Sequence, residues 1–345
     1  MSAMPVVVSR TGMVTGVGLD APASCAAIRG TIDNFQQTAF RDRRGEWIMG
    51  CEVPLEYPWR GEKKLLMMAA RAIEQCLDGF DEAACAATPL LLCLAETGRP
   101  GRIVQDDVRF FEALQDELGF SFHAHSAVIA QGHVSAAVAL NRARQLIGAS
   151  TAAQVLVAAS DSLLAAGALA DCEARDRLLT SENSDGFIPG EGAAALLVEP
   201  LRTQPWGQLA CRGIGFAIEE AHIDSGEPLR ADGLTAAIKQ SLQDAGCNES
   251  VLAFKIIDAS GGQYAFKEAT LAFGRIDRTR RTEFDVWHPA DCIGEVGAPI
   301  GLAMAAVLKV ACEKAYAKGS SVLLHLGNDD GKRAAMVFSW YAAGG

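Results

Sequence analysis

At 345 residues, half of them hydrophobic and 21% charged, the chain is long enough for two core-bearing units or one large duplicated domain. A net charge of −11 argues against binding to a phosphate backbone, which needs clustered Lys and Arg, and no apolar run is long enough to span a bilayer. The ten cysteines are scattered without a CxxC pair, as expected of buried, reduced thiols in a cytoplasmic protein.

The start, MSAMPVVVSRTG, lacks the basic and apolar regions of a signal peptide and reads as a first strand. Apolar runs then alternate with helical patterns: LLMMAARAIEQCL, PLLLCLA, SAVIAQ, VSAAVALNRARQLI and AAQVLVAAS. Short buried strands between amphipathic helices predict an α/β protein with largely buried sheets. The stretch VEPLRTQPWGQ interrupts the pattern, and strands and helices restart with QLACRGIGFAIEE, LTAAIKQSLQDAG and AFKIIDASGG. The chain closes on the helix GLAMAAVLKVACEKAYAKG and the strands VLLHLG and AAMVFSW. Each half opens on a strand with a close glycine pair, Gly16/Gly18 and Gly213/Gly215, a faint internal repeat. Two unrelated α/β domains are the alternative reading of so short a signal.

Within DGFIPGEG, glycines 186, 190 and 192 are expected to supply positive φ and close backbone approach before a buried strand, with Glu191 in a structural role. His123 and His125 alternate on one strand face, but no third ligand follows at metal-site spacing. Cys292 reads as a packed thiol and His288 as a packed or capping residue. Asp291 with Glu295, and Asp329 with Asp330, read as solvated acidic loops. Gly-Val-Gly near residue 18 lacks the spacing of a dinucleotide fingerprint. No metal and no cofactor is expected.

Four blocks resemble the β-ketoacyl-acyl-carrier-protein synthase branch of the thiolase superfamily. They are VVVSRTGMVTGVGLDAPASCAAIRG, SENSDGFIPGEGAAALLVEP, LTAAIKQSLQDAGCNESVLAFKIIDASGG and CIGEVGAPIGLAMAAVLKVA, in the family's order. The resemblance implies a five-layer α-β-α-β-α duplicated fold, with halves at residues 1–203 and 204–345. It also implies pairing of two chains through the edge strand near Phe122 to Ala130.

Such enzymes need a cysteine nucleophile at a strand-to-helix turn and two histidines, or a histidine and an asparagine, that stabilise developing negative charge. Here the resemblance puts Gln131 at the nucleophile, or Ala130 with the alignment slipped by one. No cysteine lies between Cys93 and Cys172. The two histidine positions fall on Ser260 and Glu295, the supporting lysine on Ala290, and Glu268 stands where the family often has an acid. The closing loop, residues 327–331, lacks the gating phenylalanine. A carboxylate at Glu295 would face an anionic malonyl group, and like charges in a low-dielectric pocket cost several kcal/mol. Decarboxylation is therefore excluded, and no catalytic residue is assigned.

Two functions follow. One is a non-catalytic, cytoplasmic adaptor or scaffold, since short chains with motifs like HPADCIGE and GNDDG resemble proteins associated with type VI secretion. The other is a chain-length-factor-like subunit that pairs with an active ketosynthase in fatty acid or polyketide synthesis. The chain is shorter than typical ketosynthases by several loops, which favours the adaptor. Either way the expected partner is a protein: a second copy, a ketosynthase, or a secretion effector or accessory protein.

Overall fold

The computed structural model describes residues 4–280 and 283–342. Its first part runs β1 (Val6–Thr15), α1 (Ala21–Arg29), β2 (Gln36–Arg41), β3 (Trp47–Gly50), α2 (Gly61–Leu77), α3 (Glu82–Ala86), β4 (Leu90–Leu94), α4 (Asp107–Leu118), β5 (Ala127–Ala130), α5 (Ser135–Gly148), β6 (Val155–Ser162), α6 (Ala166–Ala174) and β7 (Glu191–Pro200). The second runs β8 (Gln208–Ile218), α7 (Asp232–Ala245), β9 (Phe254–Ile257), α8 (Gln263–Ile276), β10 (Val286–Trp287), α9 (Ala290–Ile293), α10 (Ile300–Glu313), β11 (Ser321–Gly327) and β12 (Lys332–Tyr341).

The strands β1-β7-β6-β4-β5 and β8-β12-β11-β9-β10 follow the same order, and β1 and β8 lie side by side. Only Val6 to Val8 of β1 pair with β8, so the sheet is continuous but pinched at its centre. The layers follow from burial. β4 and β6 are buried along their whole length, which matches the uninterrupted apolar run of β4 and the apolar start of β6, whose polar end, residues 160–162, is hydrogen-bonded. α10 is apolar almost all round and sits with α5 and α1 in the central core, contacted by strands of both halves. Amphipathic α2 and α4 cover the outer face of the first half, and α7 and α8 that of the second. The five-layer α/β expectation is what the structure has.

Corresponding glycines mark the repeat, but not the ones the sequence singles out in the first half. Gly12 of β1 lies under α2, and Gly213 and Gly215 of β8 lie under α7, each so close that a Cβ would meet helix backbone at about 2 Å. Gly16 and Gly18 fall beyond the end of β1. Glycines 186, 190 and 192 also need correcting. All three sit in close contacts, with a Cβ meeting Leu178, Ile293 or Val14 backbone within 2.8 Å, but none has positive φ. Their requirement is room, not handedness. Glu191 has the expected structural role: its Oε1 accepts from Val53 N at 2.9 Å, its Oε2 from Ser162 Oγ at 3.0 Å, and Lys64 pairs with it.

The glycine contacts give a paired prediction for thermal denaturation. Gly12→Ala drives a methyl into the Ala72 carbonyl at 1.9 Å and should destabilise by about 2–4 kcal/mol. Gly274→Ala, in α8 with open space around it, should stabilise by roughly 0.5–1 kcal/mol. Equal effects would contradict the packing account.

Candidate functional site

β5 ends at Ala130, and the chain turns through a single 3-10 turn, Gly132–Val134, into α5. Gly132 has φ +60°, and a Cβ there would lie 2.1 Å from the Glu96 carboxyl, so this elbow favours glycine. Ser135 fixes the turn, donating to Ile129 O at 3.0 Å and accepting from Gln131 N at 3.0 Å. The side chain that the elbow delivers into the cleft is His133.

His133 stands between two carboxylates. Its Nδ1 donates to Asp258 Oδ2 at 3.0 Å, and its Nε2 donates to Glu295 Oε1 at 2.9 Å. With both ring nitrogens donating, the ring is an imidazolium. Burial alone would lower its pKa, but Glu295 and Asp258 hold it well above the ordinary 6.5. Burial likewise would raise Glu295, yet the facing charge and hydrogen bonds of His133, with Ser260 and Gly297, hold it below the ordinary 4.5. Ser260 Oγ donates to Glu295 Oε2 at 2.6 Å, and Gly297 N donates to Oε1 at 2.9 Å. Gly327 N donates to Asp258 Oδ2 at 2.8 Å. Every group in the row Asp258–His133–Glu295–Ser260 is thus engaged by its neighbour.

Ser260 and Glu295 meet as the sequence implies. Gln131 does not join them: its side chain lines neither lobe of the cleft. Its backbone is what the fold uses, with Gln131 O accepting from Asn328 Nδ2 at 2.8 Å. The correction has a physical cause. The positive-φ glycine and the 3-10 turn carry the elbow two residues past Gln131, and His133 is the only ionisable side chain between Gln131 and Arg142. That lone titratable residue, at the foot of a small-residue helix, was the available signal. Asp258 and Asn328 carried none.

Asn328 occupies the turn between β11 and β12. Its Oδ1 accepts from Val134 N at 3.2 Å while its Nδ2 holds Gln131 O, so it clamps the loop to the elbow. The cleft around His133 has two lobes, of about 580 and 290 Å³, that share His133, Glu295, Arg177 and Asn328. Cys172 lines the larger lobe, and burial pushes its thiol up to about 11, so it offers no thiolate at neutral pH. Asp329 and Asp330 line the cleft, whereas Asp291 pairs with His288 at 2.8 Å and lines neither lobe. Glu268 is tied to Arg333 at 2.8 Å, and buried Cys292 is pushed up to about 11. The rings of His123 and His125 lie 5.1 Å apart near the surface, with His123 Nδ1 accepting from His125 N. Among the described residues, no group of three His, Cys, Asp or Glu side chains is arranged to hold a metal ion.

No family model and no curated protein matches the sequence. Solved structures do match over its whole length. The chain superposes on the ishigamide ketosynthase/chain length factor with a TM-score of 0.82 at 15% identity, covering 99% of this chain and 100% of that one. A type II polyketide ketosynthase in complex with its acyl-carrier protein gives 0.80 at 15% identity, covering 98% and 99%. The ketosynthase of Xenorhabdus doucetiae in complex with its chain length factor gives 0.73 at 12%, covering 97% and 98%. The fold is the one these ketosynthase structures share. The chain spans the full length of these neighbours but 73% of a modular ketosynthase from Bacillus amyloliquefaciens, so the expected shortening holds only against the modular enzymes.

The charge row sets a pH dependence. His133 has a raised folded pKa, so its stabilisation is complete below about 6.5 and is lost as pH climbs towards the raised value. Glu295 is depressed, so its share is complete above about 4.5 and is lost in more acidic solution. His133→Leu strands two buried carboxylates and should cost about 3–5 kcal/mol at neutral pH. Its stability should then recover as pH falls and the stranded carboxylates protonate. Denaturant melts of both proteins between pH 4 and pH 9 check this, and parallel curves would contradict it.

Proposed function

We propose that this chain is a non-catalytic, chain-length-factor-like subunit that pairs with an active ketosynthase, and that its two halves, residues 1–203 and 204–345, arose by duplication. The observation that carries the non-catalytic part is His133 at the elbow, clamped on both nitrogens by Asp258 and Glu295. A nucleophile there needs a free lone pair or a thiolate, and an imidazolium with both N–H groups engaged has neither. The groups that would stabilise an enolate or oxyanion are replaced by Ser260, whose hydroxyl is spent on Glu295, and by an anionic Glu295, which opposes negative charge.

Support for the pairing comes from the neighbours and from the sheet edge. Chain length factors figure in the descriptions of two of them. Among the described residues β5 pairs on one side only, with β4, and Val128 to Ala130 are half-exposed. A short apolar edge strand of that kind is rarely left uncovered. The type VI secretion adaptor, by contrast, draws no support from these neighbours, and full-length coverage of them removes the argument from a shortened chain. No helix among the described residues is long and apolar enough to cross a membrane.

Incubated with labelled acyl or malonyl thioesters, the purified chain should take up no acyl group by intact mass and release no carbon dioxide. His133→Cys alone should not restore condensation, since the members of a catalytic set act together. Transfer of label to the wild-type cleft would overturn the non-catalytic reading. Light scattering should show a dimer, of the chain with itself or with a co-expressed ketosynthase, that Val128→Arg dissociates. A monomer that no ketosynthase captures would overturn the pairing.

A further inference from the structure

The smaller lobe reaches from the His133 row under α8, and nothing in the proposed pairing uses it. Its donors are spent at the inner end. Arg333 donates from Nε to Glu268, from one terminal nitrogen to Asn328 O and Lys332 O, and from the other to Tyr264 OH. Tyr264 itself donates to Ala221 O at 2.9 Å, and His133 is held as described. The acceptors are not spent. Asp258 takes both its hydrogen bonds on Oδ2, and Glu268 takes its bond from Arg333 on Oε1. Among the described residues, Asp258 Oδ1 and Glu268 Oε2 accept none.

His325 supplies an independent sign of a missing partner. It lines this lobe at 5% exposure, and its Nε2 is buried with no hydrogen-bond partner. Burial, then the nearby Lys255 charge, pushes its pKa down to about 3, so the ring is neutral and one of its nitrogens presents a lone pair. Buried polar atoms are rarely left without a partner, protein or bound. The lobe's charge points the same way. Asp176, Asp185, Asp258, Glu268, Glu295 and Asp329 face only three cationic side chains, Arg333, His133 and Arg177, the last two shared with the outer lobe. Burial also holds Glu268 above the ordinary carboxylate value, with Arg333 alone countering it.

We propose that this lobe, about 290 Å³ in volume, binds a small protonated amine, whose N–H groups are received by Asp258, Glu268 and His325. An ammonium brings three donors and no acceptor, which complements a wall rich in free acceptors. A carboxylate or phosphate ligand meets like charge there and is excluded. The site does not depend on any protein partner.

Calorimetry on the isolated full-length chain tests it with three probes of similar length: putrescine, butanediol and succinate. Putrescine should bind saturably and raise the melting temperature, while butanediol and succinate should do neither. His325→Phe should weaken putrescine by about tenfold, the loss of one charge-assisted hydrogen bond. Ala265→Trp fills the lobe without removing a polar group and should abolish binding, which keeps a test if the histidine variant misfolds. The proposal is overturned if putrescine does not bind, if butanediol binds as tightly, or if a folded lobe variant keeps wild-type affinity.

Discussion

A buried imidazolium held between two carboxylates organises the centre of this molecule. His133 comes from the first half, while Asp258 and Glu295 come from the second, at separations of 125 and 162 residues along the chain. Ionised groups so far from water persist only when each is paired and hydrogen-bonded. The row therefore demands that β5, the elbow, the end of β9 and the loop after α9 keep their mutual positions. Asn328 adds a fourth segment to the same lock through Gln131 O and Val134 N.

The same rule governs the other buried charges. Arg99 forms a two-pronged pair with Asp161, which also accepts from Ala298 N, so the loop around Glu295 is braced from the first half. Glu191 is held by Lys64, Val53 and Ser162. The glycine contacts and paired charges that build a ketosynthase-like scaffold are thus in place, while the residues at its reactive centre satisfy one another. The donors of that centre, His133 and Ser260, are spent on its own carboxylates, which preorganises it for stability.

The fold was legible because its signals are local. Uninterrupted apolar runs such as LLLCL, the all-round apolar α10 and the tight DGFIPGEG loop each follow from short stretches of sequence. Ser260 and Glu295 were legible because each sits in a glycine-flanked loop with recognisable neighbours. Gln131, taken from the resemblance with Ala130 as the slipped alternative, missed the delivered side chain because resemblance alone does not fix where a strand stops and a turn begins. One positive-φ glycine at position 132 moves the delivered side chain by two residues. Asp258 and Asn328 were illegible for a different reason: their roles exist only through contacts made across the whole chain.

The central claim concerns one ring, and it is tested most directly by observing the two ring nitrogens of His133. In nitrogen-15 labelled protein at neutral pH, with His133→Gln used to assign the signal, the account predicts two equivalent, protonated nitrogens of imidazolium type. They should stay so well above pH 6.5, the ordinary imidazole value. A neutral ring, with one protonated and one bare nitrogen, would contradict it. That result would return to the cleft a basic lone pair at the position where a nucleophile is expected.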